Sequence, residues 1–122
     1  MPTQEQIRTA VDAYVQSFRD QDRSAFIAAL ADDVEQEDPV GSAPNLGRET
    51  LGGWWDGLFN SAQRIEFDAR EVFVAGDEAA MVFTIVQHLR DGGTVTIDGV
   101  DTFRVDDEGR IASVRGYGAV RS

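Results

Sequence analysis

The hydrophobic spacing changes period halfway along the chain, and that change limits the fold more than any other feature. In the first half, Ile7, Ala10, Val11, Tyr14, Val15 and Phe18 recur every three or four positions. That spacing puts them on one face of a helix. Thr3 with Gln6 makes a capping box at its start, and Asp20 to Asp22 ends it. A short second helix carries Phe26, Ile27 and Leu30, and a third carries Leu51, Trp54, Trp55, Leu58 and Phe59. Gly52, Gly53 and Gly57 lower the propensity of the third helix, so packing must hold it. Close contact with a sheet is the expected use of these glycines.

In the second half the period is two. Segments 65–74, 79–89, 94–105 and 111–120 read as strands, with Met81, Phe83, Ile85 and Leu89 on one side of the second. Gly76-Asp77, Asp91-Gly92-Gly93 and Asp106 to Gly109 supply turn chemistry between them. Three short connections predict an antiparallel meander. Helices segregated from such a sheet make one α+β domain over residues 1–122. A curved sheet wrapped on the long first helix would enclose an apolar pocket, where ligands bind.

Composition removes several classes of function. Lys and Arg number 11 against 22 Asp and Glu, for a net charge of −11, which repels phosphate backbones and anionic lipid. Nucleic acid and membrane surfaces are therefore not expected partners. No apolar run is long enough to cross a bilayer, and Met1 to Gln6 carries no basic stretch leading into an apolar one. Cysteine is absent, which excludes thiolate chemistry and fits a cytoplasmic setting. Five acids stand between Asp32 and Asp38, but their spacing matches no calcium loop, so a metal site is not expected there. Phosphate-binding glycine loops and a nucleophile elbow are missing. The single histidine, His88, falls on the strand face opposite Phe83.

Three residues depart from the local pattern. In segment 94–105 the more apolar face holds Val95, Ile97, Gly99, Asp101, Phe103 and Val105, so Asp101 points inward. A carboxylate there pairs with Arg104 or Arg115, meets water at a pocket mouth, or keeps its proton because burial disfavours the charge. Tyr14 lies on the buried stripe of the first helix, as a core tyrosine or as a second donor into the same cavity. Asp38 precedes Pro39; if its segment is extended, Val34, Gln36, Asp38 and Val40 face the cavity while Glu35 and Glu37 face water.

The run Glu37-Asp38-Pro39-Val40-Gly41-Ser42, with Tyr14 before it and Asp101-Thr102-Phe103-Arg104 after it, resembles the Δ5-3-ketosteroid isomerases. Their cone-shaped, NTF2-like (SnoaL-like) α+β fold is shared with nuclear transport factor 2 and the polyketide cyclases. The resemblance runs along nearly the whole chain. It implies three N-terminal helices on a curved, mainly antiparallel sheet, no cofactor, a homodimer, and a small apolar steroid-like substrate. It also implies Asp38 as general base and Tyr14 with Asp101 as oxyanion donors. Val40, Trp55, Phe59, Met81, Phe83 and Phe103 are the side chains expected to line the slot, or else to serve as plain core. Two positions depart from the family: Trp55 stands where many members carry tyrosine, and Gly118 where a large aromatic often stands. An epoxide hydrolase or cyclase on the same fold, or a binding module without catalysis, are the alternatives.

Overall fold

The computed structural model describes all 122 residues. Helix α1 spans Gln4–Asp20. Its capping box forms as the sequence predicts: Thr3 Oγ1 accepts from the Gln6 amide at 3.0 Å, and Gln6 Oε1 accepts from the Thr3 amide at 2.8 Å. Two of the amides a helix start leaves unpaired are thereby satisfied. Gln21, at φ 53°, ends it in the left-handed region. Helix α2, Arg23–Ala28, is shorter than the spacing suggested. Leu30, expected on it, is instead the first residue of strand β1, Leu30–Glu37.

A two-residue strand, β2 (Asn45–Leu46), leads into α3, Arg48–Ser61. Arg48 ties its start to β1 by donating to the Leu30 carbonyl from Nε at 2.9 Å and pairing with Asp32 at 2.8 Å. The glycines of α3 do not meet the sheet. A Cβ at Gly52 would lie 2.5 Å from the Arg23 guanidinium, whereas Gly53 and Gly57 face open space. Gly52 thus lets α3 approach α2, where Arg23 also bridges to Asp56 at 2.9 Å.

Strands β3 (Ala62–Ala75), β4 (Glu78–Leu89), β5 (Thr94–Val105) and β6 (Ile111–Val120) form the predicted antiparallel meander. The sheet has six strands in the order β2-β1-β6-β5-β4-β3 and is mixed, because β1 runs parallel to β6. The inner face of the sheet and the helices bury an aromatic core. Phe26 stacks on Trp55 with centroids 4.7 Å apart, and Tyr14 meets Phe18 and Phe103 edge-on at 5.0 and 5.1 Å. Each such pair contributes about 0.5–1.5 kcal/mol beyond its buried area. The outer face mixes Val82, Val86 and Val100 with polar contacts: His88 Nε2 lies 2.6 Å from Glu66, and Asp98 joins Thr84 and Arg121. No helix is long and apolar enough to cross a membrane.

Candidate active site

Asp38 stands one residue past the end of β1, at a cis peptide bond to Pro39. The segment after it is pinned to β6. The Val40 amide donates to the Gly116 carbonyl at 2.8 Å, and Ser42 Oγ donates to the Pro39 carbonyl at 2.6 Å. Glu37 is held from two sides, by Arg115 at 3.1 Å and by the Gly41 amide at 2.9 Å. The Gly41 amide first, and then the Arg115 hydrogen bond, hold the Glu37 carboxyl below its ordinary range. Alternation along β1 is as expected, with Val34 and Gln36 buried and Glu35 exposed.

Gly116 is what admits Asp38. A Cβ at 116 would stand 2.5 Å from Asp38 Oδ1 and 2.6 Å from its Cγ, so the carboxylate rests on bare backbone. Gly116 is also the register partner of Asp101 on β5. The parallel pairing of β1 with β6 and the antiparallel pairing of β6 with β5 therefore bring two carboxyl groups side by side. Tyr14 reaches the same place from α1, and all three line one cavity of about 250 Å³.

Burial sets the chemistry of these groups. Asp101 is 5% exposed. Neither arginine that might have neutralised it does so: Arg104 lies on the outer face and Arg115 serves Glu37. Desolvation first, and then the Asp38 charge, push the Asp101 carboxyl up to about 8. At neutral pH it keeps its proton and is a donor. Asp38 is half-buried, and burial raises its carboxyl above the ordinary value. Being the less buried, it ionises first, and its charge then helps to hold the proton on Asp101. Burial, then Asp101, then Asp38 lift the Tyr14 hydroxyl well above its ordinary value, so it too remains a donor. No hydrogen bond from the protein adds to the shift at Tyr14, Asp38 or Asp101, and all three face the cavity. An ionisable carboxyl and two groups held in their protonated forms therefore converge on one apolar space.

The walls differ from expectation. Of the six residues expected to line the slot, only Phe83 does. Trp55, Met81 and Phe103 lie behind the wall as core, at 3%, 0% and 1% exposure. Val40 and Phe59 are half-buried and do not line the cavity, Phe59 packing on Trp55 at 4.6 Å. In their place stand Trp54, Leu58, Phe67, Ile85 and Ile97, with Gln87 and Gly118. Helical spacing cannot separate Trp54 from its neighbour Trp55. Carrying the β4 alternation past Ile85 would have reached Gln87. No cluster of three or more His, Cys, Asp or Glu side chains is placed to hold a metal ion.

Three helices on a mixed sheet around a buried aromatic core make this an NTF2-like α+β domain. The chain belongs to the SnoaL-like domain family, whose model matches residues 11–114. Among solved structures it is similar to RV0760c from Mycobacterium tuberculosis in complex with estradiol-17beta-hemisuccinate. The identity there is 28% over 92% of each chain, with a TM-score of 0.85. It is also similar to the Δ5-3-ketosteroid isomerase from Mycobacterium sp., at 25% identity over 95% of this chain and 98% of that one, with a TM-score of 0.85. A third likeness is to a LEH-like epoxide hydrolase of M. tuberculosis. It is 26% identical over 96% of this chain and 84% of the other, with a TM-score of 0.82.

Proposed function

We propose that this protein is an isomerase that moves the double bond of a 3-oxo-Δ5 steroid into conjugation. The observation that carries the reading is the meeting of Tyr14, Asp38 and Asp101 in one apolar cavity, with Asp101 buried and paired with no cation. The C–H bond between the carbonyl and the double bond is acidic. Asp38 takes that proton from C4, and the electron pair moves through C3 onto the carbonyl oxygen. Tyr14 and Asp101 donate hydrogen bonds to the oxygen as its charge grows, which stabilises the dienolate. Asp38 then returns the same proton to C6, leaving the Δ4 enone. The substrate is its own electron sink, so the reading needs no cofactor.

A positioned base contributes ~10²–10⁴-fold, and one oxyanion donor about 3–4 kcal/mol. Likeness to the mycobacterial ketosteroid isomerase and to the estradiol-hemisuccinate complex supports the choice of an apolar steroid-like substrate. The resemblance further implies a sheet that curves as a cone around the slot and a cytoplasmic homodimer. Likeness to the epoxide hydrolase favours a second reading, in which Asp38 draws a proton from water attacking an apolar epoxide. Incubation with 5-androstene-3,17-dione tests the first. Growth of the conjugated-enone absorbance, lost in Asp38→Asn, is expected. No absorbance change with the wild-type chain would sink it.

A further inference from the structure

The cavity is a ladder along the β4–β5 hairpin. Its rungs are set by register: Met81 opposite Asp101, Phe83 opposite Gly99, Ile85 opposite Ile97, and Gln87 opposite Val95. Side chains two apart share a face, so Phe83, Ile85 and Gln87 all look into the cavity. Apart from Tyr14, Asp38 and Asp101, Gln87 is the one side chain in that lining that offers a hydrogen-bond acceptor, the Trp54 indole being a donor only. It stands six residues along β4 from the rung of Asp101, which is about 20 Å at the usual strand rise. The space between is walled by Phe83, Ile85, Ile97 and Phe67.

The other polar residues near Gln87 are already engaged on the opposite face. Thr84 donates to Asp98 at 2.6 Å, and His88 meets Glu66 at 2.6 Å. Gln87 instead lines the apolar slot, and its amide, a donor and an acceptor at once, has no hydrogen-bond partner in the protein. While the cavity is wet, water satisfies that amide. An elongate apolar ligand expels the water, and the amide then needs a partner on the ligand itself, since an unpaired buried amide is costly.

We infer that Gln87 is a specificity residue that selects elongate ligands bearing a second polar atom at the end remote from the Tyr14–Asp101 donors. This rests on the steroid reading above and narrows its substrate class to molecules polar at both ends and apolar between. The alicyclic body lies against Phe83 and Ile85, its carbonyl faces the donor pair, and its distal oxygen meets the Gln87 amide.

The test compares 4-androstene-3,17-dione with androst-4-en-3-one, which lacks only the distal oxygen, by equilibrium titration. One hydrogen bond predicts that the wild-type chain binds the dione about three- to tenfold more tightly. In Gln87→Leu the preference should fall to within about twofold. Gln87→Glu keeps the shape but presents an ionised acceptor without the donor, so it should also lose the preference for the ketone. A ratio near one in the wild-type chain, or an undiminished ratio in both variants, overturns the inference. If turnover of 5-androstene-3,17-dione persists alongside that result, this inference alone falls. If neither ligand binds and nothing is turned over, the steroid reading falls and takes the inference with it.

Discussion

Replacing Asp101 by Asn should remove a pH dependence of stability that the wild-type chain carries. Burial, and then the Asp38 charge, raise its carboxyl from 3.8 to about 8. In the unfolded chain the same group ionises near its ordinary value. Between those limits the unfolded state has lost the proton and the folded state keeps it. The contribution to stability is therefore full below about pH 4 and is lost as pH rises toward about 8. The slope is about 1.4 kcal/mol per pH unit, so the loss across the window is on the order of 5 kcal/mol. Asparagine has no proton to lose and fits the same space. Urea denaturation of both proteins from about pH 5 to about pH 9 is the assay. The stability of Asp101→Asn relative to wild type should climb steadily with pH and level off above about 8. Asp38 and the surface carboxylates titrate in both proteins, so the difference isolates Asp101. Parallel profiles, or an advantage that shrinks as pH rises, would refute the assignment of a proton to this buried acid.

On the isomerase reading proposed above, the same two carboxyls set the pH profile of turnover. kcat/KM for 5-androstene-3,17-dione should rise with pH as Asp38 ionises and fall above about 8 as Asp101 does; a rate still climbing past pH 9 would contradict that pairing. Asp38→Asn should lower kcat by at least ~10²-fold while steroid affinity changes only a few-fold, so near-normal turnover would remove the proposed base. Gly116→Val would drive a side chain into the Asp38 carboxylate, with an expected kcat loss of ~10²-fold and little change in KM; unchanged kcat would show that the seat is not needed. Phe26→Ala empties the stack on Trp55 and should cost about 3–5 kcal/mol in denaturation experiments, and a loss under about 1 kcal/mol would show that the aromatic cluster closes the gap.

Period-two alternation made the meander legible, and with it the inward turn of Asp101 among Ile97, Phe103 and Val105. The Thr3–Gln6 cap was equally plain, because capping is local chemistry. The pairing of β1 with β6 left no such mark. Glu37 meets Arg115 across most of the chain, and the alternation of acidic β1 says which side chains face inward but not which strand lies beside it. Gly116 was unreadable for the same reason, since its importance lies in a neighbour distant in sequence. The cavity wall was misassigned where a helix offers adjacent tryptophans: Phe26 stacks on both, and only the tertiary packing leaves Trp55 buried as core while Trp54 lines the cavity.

The parallel pairing of β1 and β6 has a consequence for assembly in time. During synthesis β1 is made early and must wait for β6 before Asp38 has a floor beneath it. Contacts of such separation close slowly, because loop entropy is spent before any pairing is gained. A nascent chain stopped after β5 would hold Tyr14, Asp38 and Asp101 in its sequence, yet β1 and β2 would have nothing joining them to the rest of the sheet. The final strand is thus a keystone: activity should appear all at once when it docks, with no partly competent precursor.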